Sequence, residues 1–328
     1  MQNYLNKPFI KSPFVDQMLK LFDSLRLKNR EYGVASCMLL TGESGSGKSE
    51  LAKYYLRNNP VVEEEERTRI PVLHFELKSV STPRDLLISL LVAIGDPQNG
   101  KNARNQDDLF ERLVLLTKVV GLELLILDEV QVIIERRSQQ VLTGIADLFK
   151  DLIKNTNIPI VFVGMPWSRY LINVNRQLER RVKYRYQFPV FRVSSKTERD
   201  DYRKFLKLLA RSYDLNIALE TLETTYRIFA ATEGVISNTV ELISDASIFA
   251  KMNNVNMDVH LLAKTMSSYG VPDSENPFLI DIRAIVIKEL INHSDWQFNS
   301  RANRNAHIEG EYCLFCISSE GQIVSKVA

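Results

Sequence analysis

Short apolar runs alternate with helical periodicities through the first 190 residues. Cys37–Thr41 (CMLLT), Pro71–Leu77 (PVLHFEL), Leu124–Leu127 and Pro159–Gly164 (PIVFVG) have strand length and few polar positions. Tyr184–Val190 alternates polar and aromatic residues, as a half-exposed strand does. Between them, apolar spacing predicts helices at Lys48–Arg57, Arg84–Ile94, Gln106–Val120 and Val141–Ile153. Strands this apolar, separated by helices, belong to a parallel sheet covered on both faces.

After Phe191 the strand pattern stops. Ser195 and Glu198 offer a capping box, and Tyr202, Phe205, Leu206 and Leu209 then share one helix face. Leu222, Tyr226 and Phe229 repeat that spacing, as do Ile236, Val240 and Ile243. The fold class is therefore α/β, a parallel-sheet core followed by a smaller all-helical domain. The expected layout is an N-terminal segment at 1–35 packing on the core, the core at 36–192, helices at 193–275, and a C-terminal helix and tail at 276–328 that could bind a partner. The helix in that last segment is placed at Phe278–Ile291, and the run YCLFCI lies in a mixed polar tail.

Composition narrows the classes. The 328 residues are 45% hydrophobic and 25% charged, and 13 Gly with 11 Pro exclude a fibrous or low-complexity chain. Net charge is only +2, so contact with nucleic acid needs a local basic patch. The greasy stretch Leu113–Leu127 is broken by Lys118, Gly121 and Glu123, and the N-terminus lacks a signal-peptide pattern. No membrane association and a reduced cytoplasmic location are the expectation. Of three cysteines, Cys37 lies in an apolar run, while Cys313 and Cys316 form one isolated CxxC. With His307 the only nearby imidazole, a four-ligand zinc site is not supplied.

Gly42-Glu43-Ser44-Gly45-Ser46-Gly47-Lys48-Ser49 matches the phosphate-loop pattern in full, after a strand and at a helix start. Its backbone N–H groups can turn around phosphates, Lys48 can neutralise the β- and γ-phosphates, and Ser49 can give a hydroxyl to Mg²⁺. Leu124-Leu125-Ile126-Leu127-Asp128-Glu129 ends an apolar strand in paired acids. Asp128 is placed to hold the metal, and Glu129 to activate an attacking water. The cofactors implied are ATP and Mg²⁺. From Arg176 to Arg211 there are 12 Lys or Arg against 4 Asp or Glu. Arg176, Arg180 and Arg181 within that run are candidates for an arginine finger acting on a neighbouring subunit, the competing reading being a solvated basic face.

The phosphate loop, the LILDE segment, the RQLERRV arginines and a helical lid, in that order, resemble an AAA+ ATPase. GESGSGKSE, LLILDEVQVI, IPIVFVGMP and QLERRV resemble its TniB/TnsC branch, over roughly Lys7–Ala250. The resemblance implies an ATPase, slow and gated by assembly, that forms rings or filaments on double-stranded DNA. It also implies partners: transposase subunits, and a TniQ-type target selector that in some systems carries a CRISPR effector. A helicase-loader or initiator-like scaffold using ATP as a structural ligand is the alternative, separable by which proteins co-purify. Two positions depart from the family pattern. Met165 stands where relatives have Thr or Asn, and Ser237 where the lid arginine falls. DNA contacts by analogy with relatives fall on Lys78, Lys101 and Arg104, with Arg136 and Arg137 as alternatives.

Overall fold

The computed structural model describes residues 9–78, 82–135, 138–297, 306–318 and 321–325. Helix α1 (Pro13–Tyr32) starts at an N-cap, Ser12, that accepts from Val15 N, with proline next in line, and stops at Gly33 in the left-handed region. Then come β1 (Cys37–Thr41), α2 (Lys48–Arg57), a small hairpin of β2 (Val62–Glu63) and β3 (Thr68–Arg69), and β4 (Val72–Glu76). Helices α3 (Pro83–Ala93) and α4 (Gln106–Val119) precede β5 (Leu124–Asp128), α5 (Gln131–Glu135), α6 (Gln139–Thr156) and β6 (Ile160–Gly164). Short helices α7 (Arg169–Asn173) and α8 (Arg176–Arg181) lead into β7 (Val182–Gln187).

The sheet order is β4-β5-β6-β1-β7, every neighbour parallel. Its strands read as apolar runs because both faces are covered. Cys37, Leu39, Leu125, Leu127, Ile160 and Phe162 pack against α3, α4 and α6 to α8. Met38, Leu40, Leu124, Ile126, Val161 and Val163 pack against α1 and α2. Order 5-6-1 places β1 between β6 and β7, so the loop after β1 opens at the C-terminal ends of the strands, where open α/β sheets bind ligands.

The second body is helical: α9 (Lys196–Ser212), α10 (Leu222–Thr232), α11 (Ile236–Asn253) and α12 (Val259–Ser268). The Ser195–Glu198 capping box is present at α9. Tyr202, Phe205, Leu206, Leu209, Tyr226, Phe229 and Ile243 are buried together. Leu222 is an exception to the expected face. It is the first residue of α10 and is exposed.

The C-terminal helix expected at Phe278–Ile291 does not form. Residues Val286–Asn292 are β8, followed by β9 (Asp295–Gln297), β10 (Ala306–Ile308), β11 (Glu311–Ile317) and β12 (Ile323–Ser325). Strands β12, β11 and β8 make an antiparallel sheet that buries Ile287 and Ile317 in the helical body's core, and β9 pairs with β10. The alternation that marks a strand is disguised by Glu289, which occupies an inward position and is 2% exposed. Its carboxylate accepts from Val193 N at 2.7 Å, Ser194 N at 3.0 Å and Ser194 Oγ at 2.6 Å, so a charge sits where the pattern calls for an apolar residue. Cys313 and Cys316 lie three residues apart on β11, so their side chains leave opposite faces of the strand and do not chelate together.

Candidate nucleotide site

The loop Gly42–Gly47 leaves the buried end of β1 and hands over to α2 at Lys48. Gly45 (φ 72°) and Gly47 (φ 100°) lie in the left-handed region, which lets successive N–H groups turn inward. Gly45 has a second constraint. Ser237 N, in the first turn of α11, donates to Gly45 O at 2.9 Å, and a Cβ on Gly45 would run into Ser237 Oγ. The helical body thus touches the phosphate loop.

Lys48 is 6% exposed, and its ammonium donates to Gly42 O and Glu43 O at 2.7 Å each and to Ser46 Oγ at 3.2 Å. Burial pushes it down to about 8, against the opposing charges of Asp128, Glu129 and Glu43. Lys48 and the acids expected to serve the same phosphates are therefore in one place.

Asp128 ends β5 and is 1% exposed. One carboxylate oxygen accepts from Glu129 N at 2.9 Å, the other lies 3.3 Å from His74 Nε2, and the Ser49 hydroxyl bonds to the same carboxyl. Burial acts to raise this carboxyl, but the bonds from His74, Ser49 and Glu129 N outweigh it and hold it below its usual range. A hydroxyl and an ionised carboxylate brought into contact are the hard oxygen donors that Mg²⁺ takes, so the residues present fit that ion.

Glu129 follows with φ 60°, a strained backbone for a non-glycine residue. Its carboxylate accepts from Gln131 Nε2 at 2.6 Å, and Gln131 Oε1 accepts from Met165 N at 3.1 Å. Gln131 is 6% exposed, and a Cβ on Gly164 would approach its Oε1 to 2.6 Å, so the end of β6 is shaped around this side chain. Gln131 and His74 escaped the sequence reading. The DEVQ segment held the signal for Gln131, while His74 is visible only through the register that sets Glu76 beside Asp128.

Arg180 and Arg181 stand at the other end of the sheet. Val182 pairs with Cys37 and Gln187 with Thr41, so the start of β7 lies at the far end of β1 from the phosphate loop. Four residues of strand at about 3.3 Å each put roughly 13 Å between those ends. Arg176 and Arg180 are exposed and Arg181 partly so, and none of the three forms an ion pair among the described residues. Arg180 and Arg181, immediately before Val182, therefore lie away from their own phosphate loop.

The basic residues singled out for DNA do not converge either. Lys78 is exposed before α3 and pairs with Glu76 at 3.1 Å, whereas exposed Lys101 and Arg104 follow α3. Eleven residues of helix, about 16 Å at 1.5 Å per residue, separate the two ends. The loop carrying Lys101 and Arg104 is built around buried Asp96, which accepts from Gly100 N at 2.7 Å and from Arg112 at 3.3 Å. Arg136 and Arg137 lie outside the described residues.

Glu43, a variable position of the phosphate loop, is engaged from the link between β8 and β9. Its carboxylate accepts from Ser294 N at 2.8 Å and Ser294 Oγ at 2.5 Å and lies 3.0 Å from His293 Nδ1. Burial acts to raise Glu43, and these bonds outweigh it and hold the carboxyl below its ordinary value. Among the described residues no helix is long and apolar enough to cross a membrane.

A family model described as "Bacterial TniB protein" matches residues 2–191. No curated protein sequence matches the chain. Among solved structures, the ORC2 protein of Aeropyrum pernix in ADPNP–ADP complexes is 15% identical, with 81% of this chain and 71% of that one covered and a TM-score of 0.59. The ORC1 protein of the same organism in complex with DNA is 16% identical over 81% and 68%, with a TM-score of 0.57. Domain III of the Thermotoga maritima replication initiation protein DnaA is 14% identical over 83% and 99%, with a TM-score of 0.51. These likenesses show the fold, a parallel-sheet core with a helical body after it.

Proposed function

The chain belongs to the bacterial TniB family, and from that premise we propose that it is an ATPase that regulates transposition by assembling on double-stranded DNA. One observation carries this reading. The phosphate loop with Asp128 and Glu129 opens at one end of the sheet, while Arg180 and Arg181 stand at the other. Each protomer is then half of two sites, and head-to-tail stacking brings the arginines of one copy to the γ-phosphate of the next. Such heterologous contacts close into rings or run on as filaments.

In this reading Gly42–Gly47 wrap the phosphates and Lys48 exchanges its loop acceptors for phosphate oxygens. Ser49 and Asp128 hold Mg²⁺, which when bound neutralises charge on the transferring phosphoryl group. Glu129 takes the proton from the attacking water. Met165 brings no polar side chain to the position after β6, which supports slow turnover that waits on the neighbour's arginines. Lys78, Lys101 and Arg104 contact DNA phosphates, Arg136 and Arg137 being further candidates, so binding is sequence-tolerant. The assembled face then links a TniQ-type target selector to the transposase.

Electron microscopy of the protein with ATP, Mg²⁺ and duplex DNA tests the proposal. Wild type should form regular assemblies, Lys48→Ala should form none, and those of Glu129→Gln should persist. Equal assembly with and without nucleotide would overturn it.

A further inference from the structure

The C-terminal strands lie beyond the residues matched by the family model, yet they reach three parts of the nucleotide-binding body. At Glu289 they hold Val193 and Ser194, the junction between core and helical body. At His293 and Ser294 they hold Glu43 of the phosphate loop. At Asp295 they pair with Arg169 at 2.5 Å, just after the Met165 turn, and there Trp296 stacks on Trp167 with ring centroids 5.9 Å apart. Ser294 is 4% exposed and Trp167 3%, so this is a built contact rather than a brush of surfaces.

We propose that Asn292–Gln297 is a positioning arm of the nucleotide site: Ser294 and His293 set the shape of the phosphate loop through Glu43, and nucleotide binding is felt along the arm. The inference rests on the ATP-binding reading above. The coupling has a physical route. Lys48 donates to the Glu43 carbonyl, and the Glu43 carboxylate holds Ser294 and His293. When Lys48 turns to phosphate it releases that carbonyl, and the residue whose side chain anchors the arm loses its ammonium partner. Holding the loop beforehand also lowers the ordering cost of binding, so loosening the arm should weaken ATP.

The chain supplies its own reporter, because its only two tryptophans are Trp167 and Trp296. The experiment titrates ATP with Mg²⁺ into the full-length protein, reading affinity by calorimetry and the arm by tryptophan emission. Wild type should show a saturable emission change at the calorimetric affinity, and Trp296→Phe should lose most of that change. Ser294→Ala removes one bond to a charged acceptor and should weaken ATP about tenfold, with little emission change even at saturation. Ser294→Thr keeps the hydroxyl and should restore both readouts, which separates positioning from a general loss of fold. The arm is overturned if wild type binds ATP without an emission change, or if Ser294→Ala binds and responds as wild type does. If Lys48→Ala binds ATP as wild type does, the phosphate-site reading fails first, and the arm falls with it.

Discussion

Gln131 holds Glu129 in place. Its carboxamide N–H donates to the Glu129 carboxylate at 2.6 Å, while its oxygen takes the N–H of Met165 at 3.1 Å, so one buried side chain joins the end of β5 to the turn after β6. A polar side chain is missing at Met165, but its backbone is tied into the same network. Glu129 sits at φ 60°, a conformation that holds only when its surroundings enforce it.

Gln131→Ala should therefore slow hydrolysis while sparing binding. Single-turnover rates are expected to fall tenfold or more, with ATP affinity within about twofold of wild type. Gln131→Glu sets a second carboxylate against Glu129 and should be at least as slow. A wild-type rate in Gln131→Ala would remove its positioning role, and a wild-type rate in Glu129→Gln would remove Glu129 as the base.

Lys48 makes ATP binding depend on pH. Burial lowers its ammonium to about 8, and phosphate contact favours the charged form, so the bound state carries the higher pKa. Affinity should be flat below about pH 8 and weaken above it, approaching tenfold per unit, with a proton taken up on binding. Calorimetry at pH 8.5 in two buffers of different ionisation enthalpy measures that uptake. Equal heats in both buffers would contradict it.

Arg180 and Arg181 should act between subunits, since about 13 Å of strand keeps them from their own loop. Arg180→Ala/Arg181→Ala should bind nucleotide as wild type does and lose DNA-stimulated hydrolysis. Mixed with Lys48→Ala, which keeps its arginines, it should regain activity that neither variant has alone. Co-assembly is established first by co-sedimentation. Co-assembly without recovered hydrolysis would confine the arginines to a basic face.

DNA affinity should fall steeply with salt and hardly vary with sequence. Because α3 separates Lys78 from Lys101 and Arg104, their losses should add rather than cooperate. Each Ala substitution should lower the slope of log affinity against log salt by about one. An unchanged slope in the triple variant would move the interface elsewhere.

Elements whose information is local are legible in the chain alone. The eight residues Gly42–Ser49 carry their loop chemistry in contiguous backbone. The strands of the core were legible because a sheet covered on both faces leaves continuous apolar runs, and Ser195 with Glu198 encodes the start of α9 within one turn. Features that depend on residues distant in the chain emerge only on folding. Glu289 disguised β8 because its carboxylate is hydrogen-bonded by donors 95 and 96 residues away, which no local pattern records. Gln131 finds Met165 across 34 residues, and Glu43 finds Ser294 across 251. The reason is the same in each case: burying a polar group is costly unless a partner satisfies it, and here that partner is supplied by the folding of the chain, not by neighbours along it.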